Sequence, residues 1–138
     1  MRLVIDTNVV LDLVVFLDTG TAALRDAIET GRVIPLACPQ GLAELRRVLA
    51  YPAFKLDTQD REAAFAWYES RIELAESPPA HPYLPRCRDA DDQKFLDLAW
   101  AAGAAHLVTK DKALLVLARR VAKLGRFQVT SPSEIDWP

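Results

Sequence analysis

Short apolar runs alternate along the chain with longer segments in which apolar residues recur at helical spacing. Leu3–Ile5 is an apolar run that ends abruptly at Asp6, as is typical of a strand buried in a parallel sheet. Similar runs at 33–37, 106–109 and 127–129 predict three further strands, and 72–74 is a candidate for a short fifth one. Strands that alternate with helices indicate an α/β fold with a central, mostly parallel sheet of four or five strands.

The segments between the strands carry the start and stop signals of helices. One helix is expected to begin at Pro39, since proline suits the first helical turn, and to end before Tyr51 and Pro52. Another is expected to end at Gly103. The predicted helices cover residues 9–17, 21–30, 39–49, 60–69, 89–102 and 111–121. The proline-rich stretch 77–88 is predicted to be a loop.

Length and composition favour one globular domain over residues 1–138. Hydrophobic residues make up 51% of the 138 residues, which is enough for a core without disulfide or zinc support. The two cysteines, Cys38 and Cys87, lie far apart without a partner motif, as expected of reduced thiols in a cytoplasmic protein. Asp6 interrupts the first apolar run too early for a signal peptide, and charges break the later runs well short of a membrane span. We therefore expect a cytoplasmic protein with no membrane partner.

Charge is concentrated in one part of the chain, although the formal net charge is only −2. Residues 86–126 contain nine lysines and arginines and five aspartates. Basic residues around a small acidic group are what an enzyme needs when it holds both phosphates and a metal ion. A solvated helix face explains Arg119, Arg120 and Lys123 equally well.

Four acidic residues fall where an α/β sheet gathers its ligands. Asp6 follows the first predicted strand and Asp111 the strand at 106–109, while Glu44 and Asp92 lie on helices beside other strands. In an open parallel sheet, ligands bind beyond the carboxyl ends of the strands. If the two strands are neighbours, the four carboxylates can converge at one edge of the sheet.

Several carboxylates without histidine or cysteine favour a hard cation, Mg²⁺ or Mn²⁺, over zinc. Such ions suit phosphoryl chemistry because they activate water and neutralise a leaving oxygen. Each acid also has a simple structural explanation: Asp6 and Asp111 could cap helices, Glu44 could pair with a neighbouring arginine, and Asp92 could favour a helix N-terminus. Four such coincidences at once are less plausible than one acidic site.

Four segments, taken in order, resemble PIN-domain nucleases and cover nearly the whole chain. The first resembles the family's opening motif, a strand that ends in Asp-Thr-Asn, and the others resemble the segments of its second, third and fourth acids. These segments are Val4–Val10, Cys38–Leu49, Arg88–Ala99 and His106–Leu115. Their order and spacing are similar to a subgroup described as toxins of toxin–antitoxin systems. Cys38 replaces the usual Ser or Thr, and Lys110 replaces a small or acidic residue.

The resemblance implies a three-layer α/β/α fold and a metal-dependent endoribonuclease that uses Mg²⁺ or Mn²⁺ to hydrolyse RNA. It implies an antitoxin protein as partner and a homodimer. The apolar residues between Val9 and Leu17 exceed the needs of one helix face, which a dimer contact explains and a helix buried on both sides within the monomer explains nearly as well. The implied catalytic and metal-binding residues are Asp6, Glu44, Asp92 and Asp111. The auxiliary residues are Asn8, Asp89, Asp91 and Thr109. Candidates for contact with RNA are Arg46, Arg88, Lys94 and Lys110.

Two other classes of protein fit parts of the pattern. The five glycines are scattered, which argues against a nucleotide-binding phosphate loop. A receiver-like domain shares the α/β layout and places a lysine after a late strand, as Lys110 is here, but it needs paired acids after the first strand, where only Asp6 occurs. A non-catalytic α/β binding domain with an acidic metal pocket would have no need of all four acids.

Overall fold

The strand Arg2–Ile5 (β1) lies at the centre of a five-stranded sheet in the computed structural model, which describes every residue from Met1 to Pro138. The other strands are β2 (Ile34–Ala37), β3 (Glu73–Leu74), β4 (His106–Val108) and β5 (Gln128–Thr130). The sheet order is β3-β2-β1-β4-β5, and every pair is parallel. The structure confirms the predicted α/β fold and makes β1 and β4 neighbours.

Helices cover both faces of this sheet. They are α1 (Thr7–Leu11), α2 (Ala22–Glu29), α3 (Pro39–Leu49), α4 (Thr58–Glu69), α5 (Gln93–Ala101), α6 (Lys112–Leu115) and α7 (Ala118–Ala122). Successive strand residues alternate between the faces, as the pleat requires. Val4 and Leu107 pack with residues of α5, α6 and α7, whereas Leu3 and Val108 pack with residues of α1 to α4. The chain thus forms the three-layer α/β/α arrangement.

The helix predicted at 111–121 is wrong in its continuity, because the structure divides it into α6 and α7. The amide of Leu117 donates to the carbonyl of Leu114, three residues back, which tightens the turn. Leu114 and Leu117 are both buried, while Val116 between them is 71% exposed. Packing of both leucines against the sheet therefore overrides a continuous helix.

The first helix begins earlier and ends differently from the predicted range 9–17. Asp6 is its N-cap and accepts a hydrogen bond of 2.9 Å from the amide of Val9, so helical geometry starts at Thr7. From Asp12 to Phe16 the chain continues as a π-helical turn. Leu17 closes this turn in the left-handed region, with φ 48°.

Two other boundaries differ from the sequence prediction through local capping. The side chain of Asp57 accepts from the amide of Asp60 at 2.7 Å, which starts α4 two residues before the predicted position. The segment predicted to open a helix at Asp89 instead forms a 3₁₀ turn, Ala90–Asp92, before α5. No single helix is long and apolar enough to cross a membrane; only the bent pair Thr7–Phe16 and Thr19–Glu29, at 112°, reaches that length and composition.

Candidate active site

Asp6 and Thr109 meet where β1 and β4 end side by side. The amide of Asp6 donates to the carbonyl of Val108 at 3.0 Å, which holds the carboxyl ends of these two strands together. The hydroxyl of Thr109 donates to Oδ2 of Asp6, and both residues are buried. The same Thr109 oxygen accepts from the amide of Asp111 at 2.9 Å. One threonine therefore links the two acids that follow the central strands.

Three more carboxyl groups lie at this edge of the sheet. Oxygen atoms of Asp89, Asp92 and Asp111 all lie within 4.8 Å of one another, and we call these three residues the aspartate cluster. Asp111 is the N-cap of α6 and accepts from the amide of Ala113 at 2.9 Å. Asp89 caps the 3₁₀ turn that carries Asp92. Capping thus holds two of the three carboxylates in place.

Crowding of these acids changes their proton affinities. Burial, a hydrogen bond with Asp111 and the charges of Asp111, Asp89 and Asp6 raise the pKa of Asp92 to about 7. The hydrogen bond with Asp92 and the amide of Ala113 lower the pKa of Asp111. Burial raises the pKa of Asp6, and the charge of Asp111 adds to this, against the hydrogen bonds from Thr109 and Val9. Asp92 is therefore the group of this site that holds a proton near neutral pH.

Glu44 is not part of the aspartate cluster and is held by other groups. Its Oε1 lies 2.8 Å from Nζ of Lys94, and its Oε2 accepts from the hydroxyl of Thr7. Arg47, one turn along α3, approaches it at 3.9 Å. Thr7 follows Asp6 directly in the chain. Glu44 is thus joined to the site through the first turn of α1, with its charge already balanced by Lys94.

The auxiliary candidates are placed unequally. Asp89 belongs to the aspartate cluster, and Thr109 binds Asp6. Asn8 is exposed in the first turn of α1. Asp91 is exposed, and its backbone carbonyl accepts from Nζ of Lys94. The structure therefore brings Asp89 and Thr109 into contact with the acids, and it leaves the carboxylate of Asp91 outside.

The four basic candidates also differ in their surroundings. Arg88 is exposed, and its charge helps to lower the pKa of Asp111. Lys94 is bound to Glu44 with only 12% of its side chain exposed. Arg46 pairs with Glu62 at 3.2 Å and covers the ring of Phe65. Lys110 forms an ion pair with Asp12 and stays half exposed.

Asp12 is a buried acid that the sequence analysis did not single out. It lies on the helix turn after Asn8 and is 7% exposed. Its one ion-pair partner is Lys110, which directly precedes Asp111. The sequence signal for this buried acid was a single aspartate inside the apolar stretch 9–17, since a carboxylate is seldom buried without a partner for its charge.

The donor set fits a hard divalent cation. The converging groups are carboxylate oxygens, with no histidine or cysteine among the aspartate cluster, and such ligands suit Mg²⁺ or Mn²⁺. Burial is the main cause of the raised pKa of Asp92, and the hydrogen bond with Asp111 and the nearby charges of Asp111, Asp89 and Asp6 add to it. A cation bound between the carboxylates would relieve the repulsion between those charges.

The comparisons with known proteins agree with this geometry. Residues 2–113 match the PIN domain, and the chain therefore belongs to the PIN-domain family, whose members are generally nucleases and typically depend on a divalent metal ion. No curated protein sequence matches this chain.

Several solved structures share its fold, two of which are described here. One is VapBC2 from Rickettsia felis, bound to a DNA fragment from the promoter. Its TM-score is 0.64 at 14% sequence identity, and the match covers 95% of this chain and 98% of that chain. The other is PAE2754 from Pyrobaculum aerophilum. Its TM-score is 0.60 at 16% sequence identity, and the match covers 97% of this chain and 85% of that chain.

Proposed function

We propose that this protein is a divalent-metal-dependent endoribonuclease that acts in the cytoplasm as the toxin of a toxin–antitoxin pair. The observation that carries the proposal is the convergence of the aspartate cluster with Asp6 at the carboxyl edge of the parallel sheet. Membership of the PIN-domain family supports the hydrolytic part. The antitoxin partner is supported by the likeness to VapBC2 of Rickettsia felis.

Asp6, Asp92 and Asp111 would hold Mg²⁺ or Mn²⁺, with Asp89 as a further ligand. The cation supplies activation of water and neutralisation of the charge that develops as a phosphodiester bond breaks. Thr109 keeps Asp6 oriented, and the amide of Ala113 keeps Asp111 oriented, so neither carboxylate has to reorganise when an ion binds. Glu44, the fourth acid that the sequence predicted as a metal ligand, is paired with Lys94 and would have to leave this lysine to bind the ion.

Basic residues around the acids suit an RNA substrate. Arg88 and Lys110 are exposed next to Asp89 and Asp111 in the chain, where they can bind the phosphates on either side of the cleaved one. Lys94 is largely buried against Glu44, and Arg46 pairs with Glu62. We therefore assign phosphate contacts first to Arg88, which has no ion-pair partner, and next to Lys110, which follows the buried Thr109 of the site but is shared with Asp12.

We also propose a homodimer, on narrower grounds than the sequence offered. Val9, Val10, Leu11 and Leu13 are buried within the monomer and are not available to a partner. Val14, Val15 and Leu17 instead line a groove with Leu56 and Trp67. A monomeric mass by light scattering at micromolar concentration would reject the dimer.

Cys38 and Cys87 are free, buried thiols, which suits the reducing cytoplasm.

RNA cleavage tests the central proposal. The purified protein should cleave single-stranded RNA with Mg²⁺ or Mn²⁺ and should stop with EDTA. An Asp92→Asn, Asp111→Asn double variant prepared in parallel would reveal a contaminating nuclease. Cleavage that persists through complete chelation, or in the double variant, would overturn the assignment. Transfer of phosphate from acetyl phosphate to one aspartate, without RNA cleavage, would instead favour a receiver-like domain.

A further inference from the structure

An aromatic cluster lies beside the acids, at the end of a cleft that begins at Asp111. The cleft is lined by Asn8, Leu11, Asp12, Phe16, Phe54, Lys110 and Asp111. The rings of Phe16 and Phe54 meet edge to face, with centroids 5.6 Å apart, and Tyr51 stacks on Phe54 at 6.2 Å. We call Phe16, Tyr51 and Phe54 the aromatic platform. One continuous surface thus joins flat apolar rings to the acid site.

The rings of this platform face solvent to an unusual degree. Phe16 is 55% exposed and Tyr51 is 47% exposed, and both are among the few large apolar residues outside the core. The π-helical turn that ends at Leu17 and the 3₁₀ turn Pro52–Phe54 carry two of the rings. Phe16 lies outside the core, whereas Phe54 is half-buried and packs against it with part of its ring. These rings are available to bind a ligand.

We propose, on the basis of the proposed ribonuclease function, that the platform stacks an unpaired base of the RNA next to the phosphate being cleaved. Exposed aromatic rings bind bases by stacking, largely without regard to sequence. Lys110 lines the cleft together with Asp12, with which it is paired, so the cation beside the rings that no carboxylate pairs is the exposed Lys55, directly after Phe54. This lysine can approach the phosphate of a nucleotide whose base lies on the rings. Bases in a duplex are stacked on one another and cannot enter, so the substrate is single-stranded.

Cleavage kinetics with Mn²⁺ test the platform. Phe16→Ala and Phe54→Leu remove a flat ring, and Phe54→Leu keeps the apolar volume of a half-buried site. Each variant should raise KM for a short single-stranded RNA roughly tenfold, the loss expected for one base stacked on one ring. The value of kcat should stay within about twofold, because no metal-binding group changes. Tyr83→Ala removes a ring that is 77% exposed but outside the cleft, and it should change neither constant.

An RNA that lacks one base identifies the contact directly. The wild-type protein should bind the abasic RNA about as weakly as Phe16→Ala binds the intact RNA, and the variant should lose little more with the abasic RNA. Fluorescence anisotropy in EDTA, where cleavage stops, measures this binding. A duplex of the same sequence should compete poorly. Equal affinity of the wild type and both variants for intact RNA would overturn the proposal.

Two further results distinguish base stacking from protein binding by the platform and from a failure of the proposed ribonuclease function. If the variants lose a dimer in light scattering while their affinity for RNA is unchanged, the platform binds protein and the proposal is wrong. If the wild-type protein neither binds nor cleaves any RNA, the ribonuclease function itself fails, and the platform proposal with it. A Mn²⁺-induced rise in Tm that is equal in the wild type and Phe16→Ala verifies that the acid site is intact in either case.

Discussion

Nζ of Lys94 lies 2.8 Å from Oε1 of Glu44, and both side chains are almost withdrawn from solvent, with 12% and 16% exposed. The two residues come from α5 and α3, which belong to opposite faces of the sheet. Their ion pair therefore ties the two helical layers together at the edge where the acids meet. The ion pair also means that Glu44, one of the four predicted site acids, is already bound to the side chain of Lys94.

Lys94→Met should destabilise the protein because it leaves the charge of Glu44 partly buried without its partner. A double-mutant cycle with Glu44→Gln should give a coupling energy of about 1–3 kcal/mol in urea unfolding. The matched control is Arg46–Glu62, a pair of similar length that is more than half exposed, for which we expect at most about 0.5 kcal/mol. Equal coupling in the two cycles would contradict a special role for Lys94.

Asp6→Asn should abolish most cleavage while the fold persists. The amide oxygen of asparagine can still accept from Val9 and cap α1, but the charge that would bind the cation is gone. We expect a loss of roughly 2–4 kcal/mol of transition-state stabilisation, measured as kcat/KM. Circular dichroism should remain that of the wild type. Near-native cleavage by this variant would remove Asp6 from the site.

Divalent metal should stabilise the folded chain, since only the folded state brings the acids together. At a hundredfold excess over Kd the gain is about 2.7 kcal/mol, several degrees in Tm. Asp92→Asn and Asp111→Asn should each abolish this rise, and the asparagine at 111 retains the cap of α6. Glu62→Gln, on the outer helix α4, should keep it. A full shift in both aspartate variants would mean that the carboxylates do not form one site.

The metal-free protein should lose stability as the pH rises between 3.8 and about 7. The pKa of Asp92 is raised from 3.8 to about 7 on folding, so over this range the folded chain must keep a proton that the unfolded chain has released. Asp92→Asn should flatten that slope in urea unfolding with EDTA. Burial also raises the pKa of Asp6 and lowers that of His106, and both shifts are present in the two proteins, so they cancel in the comparison. The pKa of Asp111 is lowered from 3.8, so its titration lies below this pH range. Parallel curves for the two proteins would contradict the prediction.

The strands could be predicted because apolar runs that end abruptly leave few alternatives. Leu3–Ile5 followed by Asp6 identified a strand that proves to be the central one, and the neighbouring strand ends at Val108, one residue before the predicted end at Thr109. The break between α6 and α7 could not be predicted, because it follows from the packing of Leu114 and Leu117 against the sheet. The π-helical turn after Leu11 likewise depends on contacts that the local sequence does not specify.

The site could be predicted as far as topology determines it. Asp6 and Asp111 had to approach once β1 and β4 were neighbours. The partner of Glu44 could not be foreseen, because Lys94 lies 50 residues away on another helix. Asp89 could not be separated from Asp91 either, since the choice depends on the 3₁₀ turn that directs one carboxylate toward Asp92 and the other outward.

The central position of β1 has a consequence for the order of synthesis. Asp6 is synthesised 103 residues before Thr109, the residue that orients it. A ribosome-bound chain that has not been extended to β4 lacks one of the two strands that pair with β1, and it also lacks Asp111. Completion of the sheet is therefore among the last steps of folding. Truncated and nascent chains therefore carry only fragments of the acidic site, and the complete set of acids exists only after most of the protein has been translated.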